Sequence, residues 1–107
     1  MSDLQELLDM QKATNEYIIT KRGIASPSLL DFCRALQHEL VEIEDKAGWK
    51  WWKTNKQANI SDLQEEAIDA LHFWLCIALS LGMNAEDIMK AYKAKNQINH
   101  DRQKQGY

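Results

Sequence analysis

A chain of 107 residues has room for one hydrophobic core and one domain, spanning 1–107. With 45% hydrophobic and 27% charged residues it is composed like a globular protein; one proline and four glycines are too few for a turn-rich β-sandwich or barrel. A formal charge of −3 argues against a protein that coats a nucleic-acid polymer, yet leaves a small anionic ligand open to capture by local charge.

The expected class is all-α, with four helices taken from their punctuation. The first should run from Asp3 to Thr20 behind Ser2 as N-cap, with Leu4, Leu7, Leu8, Gln11, Asn15 and Ile18 at helical steps. That stripe begins apolar and turns polar at Gln11 and Asn15. After a loop at Lys21–Ala25, Ser26-Pro27 reads as a cap followed by proline at the first helical position. Leu29, Phe32, Cys33, Leu36, Leu40 and Ile43 carry that second helix on one face to Gly48.

Residues 49–60, WKWWKTNKQANI, fit no period and form a loop rich in tryptophan and lysine. Ser61 and Gln64 have capping-box spacing, so the third helix should start there and run to Leu81, with Gly82 as its terminator. From Ala70 to Leu81 it is apolar nearly all round, hence central, and one small copy covers such a helix poorly. The expected state is therefore a homo-oligomer. Asn84 caps a fourth helix through Ile88, Ala91, Tyr92 and Lys95, which frays into a polar tail ending at Gly106-Tyr107.

Cys33 and Cys76 stand apart in apolar helical stretches, as buried reduced thiols do in the cytoplasm. MSDLQELLDMQK lacks the basic-then-apolar layout of a signal peptide. The apolar run Phe73–Leu79 is far below the roughly 20 residues of a membrane span. A cytoplasmic protein with no membrane association is expected.

Helix three carries the anomaly. Glu66 and Asp69 lie three apart, and Ala70, Phe73 and Ile77 extend the same face, so two carboxylates point where the core points. Such groups must pair with a cation, bind a metal, or lie at the open end of the bundle. Glu39 and Glu42 repeat the spacing near the end of helix two, with Glu39 bordering the apolar stripe. A loop of about a dozen residues makes the two helices antiparallel neighbours and brings the four carboxylates to one end. A single Glu-x-x-Glu is ordinarily a solvated face; two facing pairs, one inward, make a hard-oxygen site suited to Mg²⁺ or Mn²⁺. The Asp69–His72 spacing resembles half of a di-iron site, but that histidine motif occurs once, so His72 reads as a hydrogen-bonded core histidine.

Positive charge gathers at Lys46, Lys50, Lys53 and Lys56 around the tryptophans, and at Lys90, Lys93, Lys95, Arg102 and Lys104 in the fourth helix and tail. Carboxylate-held Mg²⁺ facing mobile cations is an arrangement for gripping a polyphosphate. Of Trp49, Trp51 and Trp52, one is free to stack on a base while at least one anchors the loop.

With these residues the chain resembles a short member of the dimeric, all-α dUTPase family, within the MazG-type nucleotide pyrophosphatase superfamily. The resemblance rests on Glu39-Leu-Val-Glu42 and Glu66-Ala-Ile-Asp69, on WKWWK at 49–53, EEAIDALHFWL at 65–75 and KNQINHDRQKQGY at 95–107. It implies an oligomeric four-helix bundle, a homodimer or homotetramer, in which Glu39, Glu42, Glu66 and Asp69 bind Mg²⁺ and orient the attacking water. Glu39, nearer the inward face, is the expected orienting group. The resemblance further implies that Gln11 and Asn15 read uracil, that Trp52 walls the base pocket beside a substrate-contacting Lys53, and that Lys95, Asn99, Arg102 and Tyr107 hold phosphates and sugar. The chain is shorter than typical members, which carry extra helical segments between the core and the tail.

The expected activity is Mg²⁺-dependent hydrolysis of dUTP to dUMP and pyrophosphate. The alternatives are a broader house-cleaning pyrophosphatase acting on dCTP or modified nucleotides, and a helical binding module whose carboxylates are merely salt-bridged to lysines.

Overall fold

The computed structural model describes residues 2–54 and 58–106, and four α-helices account for most of them. Ser2 Oγ accepts the Gln5 N–H at 3.1 Å and opens α1, Asp3–Arg22. The helix continues two residues past Thr20 because Gly23, at φ 61°, supplies the left-handed stop and returns its N–H to the Ile19 carbonyl.

α2, Leu29–Lys46, starts later than the Ser26-Pro27 reading. Its cap is Ser28: Ser28 Oγ accepts from the Asp31 N–H at 3.2 Å, and Asp31 Oδ2 accepts from the Ser28 N–H at 2.9 Å. This reciprocal pair satisfies two orphan amides, where Ser26 alone offers one acceptor. α3, Ile60–Ser80, is likewise capped by Asn59 rather than Ser61. Asn59 Oδ1 takes the amides of Ser61 and Asp62 at 3.0 and 3.4 Å, which draws Ser61 into the first turn.

α4, Ala85–Lys104, begins at the expected Asn84, again through a reciprocal bond pair with Asp87. The expected fraying after Lys95 does not occur. Nothing from 95 to 104 breaks a helix, and Gln97 Nε2 donates to Asp101 Oδ1 one turn on.

α2 and α3 pack as antiparallel neighbours, and α1 lies against α3. The core joins Leu8, Leu75, Ala78 and Ala85, flanked by Leu4, Leu79, Met83 and Ile88. Leu8 is 1% exposed, and burial of a leucine is worth about 2 kcal/mol. α4 joins this core at its start, where the Ala85 N–H donates to Gln5 Oε1 at 2.9 Å and Ile88 packs on the cluster, and its axis turns 102° from α3. The radius of gyration is 17.3 Å, against about 13 Å for a compact chain of this length. The difference is the arm formed by α4. α3 is central as expected, yet Leu71, Trp74 and Leu81 on it stay partly exposed. Among the described residues no single helix is long and apolar enough to cross a membrane.

Candidate active site

The register of α2 against α3 sets Glu39 and Glu42 opposite Glu66. Ligand oxygens of these three carboxylates lie within 4.8 Å of one another, with Glu66 buried, Glu39 half-buried and Glu42 exposed. Lys46, one turn beyond Glu42, places Nζ 2.7 Å from Glu66 Oε1. Glu39 Oε2 and Glu66 Oε2 are both buried and receive no hydrogen bond.

These contacts set the protonation of the group. Burial pushes Glu39 above the ordinary carboxylate range, and the negative charge of Glu42 adds to the push. The Lys46 hydrogen bond holds Glu66 below that range, with Glu42 acting in the same direction. The same bond pushes Lys46 up. Three carboxylates thus share one ammonium, and two of their oxygens are buried without a proton donor. A hard divalent cation matches that donor set, since every available ligand is a carboxylate oxygen.

Asp69 is not part of this trio. It is exposed, one turn along α3, on a shallow depression with Ser61, Gln64 and Glu65. Its charge still reaches the cluster, where it helps to raise Glu39.

Phe32 on α2 and Phe73 on α3 stand seven residues from Glu39 and Glu66, two helical turns or about 10 Å away along the pair. There a cavity of about 230 Å³ opens, with Phe32, Phe73 and Cys76 as walls and Gln11, Asn15 and His72 as its polar groups. Gln11 is 6% exposed, unusual for an amide unless it is bonded. It donates from Nε2 to Asn15 Oδ1 at 2.8 Å, and its Oε1 lies 2.6 Å from His72 Nδ1. Asn15 Nδ2 in turn reaches Cys76 Sγ at 3.4 Å. Burial pushes the Cys76 thiol up, so it stays neutral. The volume suits one planar ring rather than a drug-sized ligand, for which about 300 Å³ is a lower bound.

The remaining expected site residues lie elsewhere. Trp52 is exposed in the turn after α2 and packs edge-on against Trp49 and Trp51, at 5.7 and 5.6 Å between ring centroids. Trp49 is the loop's anchor, donating from Nε1 to Asp45 Oδ1 at 2.9 Å. Neither Trp52 nor Lys53 lines the cavity under Phe32. Lys95, Asn99 and Arg102 sit on the arm of α4, which packs on α1 and not on α2. Within one chain they are not brought to the carboxylates. Tyr107 and Lys56 fall outside the described residues.

The sequence reading placed two participants differently. Lys46 was grouped with the tryptophan loop, although 39, 42 and 46 follow the three- and four-residue steps of one helix face. His72 is hydrogen-bonded as expected, through Nδ1 to Gln11, but the residue is exposed rather than in the core.

Comparison with known proteins identifies a family and two relatives. The dUTPase family matches residues 3–85 and 74–107, two segments that overlap across the turn from α3 to α4. The chain is similar to the dCTP pyrophosphatase of Enterobacteria phage T4, 37% identical in an alignment 78 residues long that covers 62% of this chain and 46% of that protein. It is also similar to the dCTP pyrophosphatase of Enterobacteria phage LZ5, 38% identical in an alignment 78 residues long that covers 62% of this chain and 45% of the relative. The match thus spans about half the length of these relatives. No solved structure matches the chain. A family match that runs through all four helices, carboxylate cluster included, places the chain: it belongs to the dUTPase family.

Proposed function

We propose that the protein is a Mg²⁺-dependent nucleoside triphosphate diphosphatase that converts dUTP to dUMP and pyrophosphate. The observation that carries this is the pair of buried, unpartnered oxygens on Glu39 and Glu66 within a cluster of three carboxylates. Glu39, Glu42 and Glu66, with Asp69 at the margin, would hold Mg²⁺, and Mn²⁺ has the same ligand preference. When bound, the metal neutralises phosphate oxygens and acidifies water.

The chain's own groups then divide the work. Glu39, with its pKa raised and one oxygen unengaged, orients water and takes its proton. The α–β phosphoanhydride bond breaks, the water oxygen stays on the attacked phosphorus, and the bridging oxygen leaves with the other product. Lys46 keeps Glu66 ionised and aimed at the metal position. The cavity between Phe32 and Phe73 receives the base, two turns from the carboxylates, with Gln11 and Asn15 facing its polar edge.

An assembly of two or four copies, in the cytoplasm with its nucleotide substrate, belongs to this proposal. In support of assembly, the α4 arm leaves Trp74, Met89 and Tyr92 exposed. The phosphate contacts expected of Lys95, Asn99, Arg102 and Tyr107 would then be made across an interface.

A second reading, dCTP as the preferred substrate, is favoured by the names of the two phage relatives. Pyrophosphate release from each dNTP and NTP, with Mg²⁺ and with EDTA, decides. Metal-dependent release from dUTP far above the rest is expected; dCTP in its place keeps the chemistry and changes the base. Silence across the panel rejects the enzyme and leaves the binding module.

A further inference from the structure

The polar side of the small cavity is a directed chain of hydrogen bonds. Gln11 Nε2 faces Asn15 Oδ1 at 2.8 Å, so Gln11 Oε1 is the atom turned to His72. With Gln11 turned this way its carbonyl oxygen can only accept, and the 2.6 Å approach of His72 Nδ1 pairs with a proton on Nδ1. The direction runs from His72 to Gln11, from Gln11 to Asn15, and from Asn15 Nδ2 to Cys76 Sγ at 3.4 Å. The thiol ends the chain softly, because Cys76 Sγ also lies 3.7 Å from Asn15 Oδ1 and can act as donor in a reversed chain. The histidine tautomer then sets the direction, an Nδ1–H driving the chain one way and a bare Nδ1 the other.

Each amide uses one N–H and one lone pair within the chain, which leaves one of each to share between Cys76 and a bound ring. Turning both amides over would exchange donor for acceptor at the same places in the cavity. Uracil and cytosine differ by that exchange: uracil offers an N–H at position 3 and a carbonyl at position 4, cytosine a lone pair and an amino group. The base accepted by one direction is thus refused by the other.

We infer that His72 is a positioning residue for base selection, holding the Gln11–Asn15 amides in the one direction that distinguishes uracil from cytosine through its Nδ1–H. It rests on the nucleotide-diphosphatase function just proposed, and the metal cluster takes no part in it. His72 is exposed, so the ring can be exchanged without opening the core.

The test compares kcat/KM for dUTP and dCTP in wild type, His72→Asp and His72→Asn. An aspartate places an acceptor-only oxygen where Nδ1 stands, and should reverse the chain and shift the dUTP-to-dCTP ratio about tenfold or more toward the base that wild type rejects. An asparagine can face either way, and should bring the ratio toward one. A ratio within about twofold of wild type in both variants overturns the inference and leaves the activity standing. A wild type that does not discriminate does the same. A wild type silent on every nucleotide overturns both. Should either variant fail to fold, the nitrogen shifts of His72 in ¹⁵N-labelled wild type decide: a protonated Nδ1 is the expected result, and a bare Nδ1 contradicts it.

Discussion

Glu39 and Glu66 each keep one buried oxygen that meets no proton donor, and their pKa shifts run in opposite directions. The signs have different consequences for stability. Glu39 is raised, so the folded chain holds this proton to higher pH than the unfolded one, and stability falls as pH rises from the ordinary glutamate value through the raised one. Glu66 is depressed; its contribution is complete above the ordinary value and is lost as pH falls through the depressed one. In metal-free buffer Glu39→Gln should therefore melt at a higher temperature than wild type near neutral pH, with the gap closing as pH drops to about 4. A variant that melts lower at neutral pH contradicts the assignment. Glu66→Gln should reduce nucleotide hydrolysis about 100-fold or more while the protein stays folded, checked by single-turnover pyrophosphate release beside circular dichroism. At this scale Glu39, Glu42 and Glu66 were legible, because their three-residue spacings commit helix faces, while Asp69 lies outside the trio. The Lys46 partner and the His72–Gln11 bond were not, since each depends on where a second helix comes to lie.

Helix identity came through the sequence well, and helix starts less well. Ser2 and Asn84 act where their position suggests, but α2 and α3 open at Ser28 and Asn59 instead of Ser26 and Ser61. In both cases two backbone amides are satisfied at once, by the Ser28–Asp31 pair at α2 and by Asn59 alone at α3, and a hydroxyl ahead of an apolar run does not weigh such neighbours. Asn59→Ala should lower stability by about 1 kcal/mol in urea unfolding, while Ser61→Ala should cost no more than about 0.5 kcal/mol. Equal costs, or the reverse order, would restore Ser61 as the cap. α4 also outran its expectation, and its continuation to Lys104 carries the basic residues away from the carboxylates of their own chain.

The molecule as a whole is more open than a closed bundle, with a radius of gyration of 17.3 Å and its fourth helix joined to the core at its start. The all-round apolar character of Ala70–Leu81 leads to the expectation of a homo-oligomer, not to this openness of the single chain. It could not signal the direction of the arm, which the turn at 81–84 decides. If phosphate-gripping residues work across an interface, two inactive chains should complement. Mixing Glu66→Gln with Lys95→Ala under exchange should recover activity approaching a quarter of wild type, the statistical yield for a homodimer with shared sites. No recovery, with mixed assemblies confirmed by native mass spectrometry, would show that each chain serves its own site.

The central claim is that the Glu39–Glu42–Glu66 cluster holds a divalent cation for work on a nucleotide polyphosphate. Calorimetric titration of Mg²⁺ into wild type and Glu66→Gln, each with a non-hydrolysable dUTP analogue, addresses it directly. Metal-dependent nucleotide binding in wild type and its loss in the variant is the predicted result. Binding that ignores Mg²⁺, or no binding by either protein, would reduce the cluster to a salt-bridged helix pair and contradict the account.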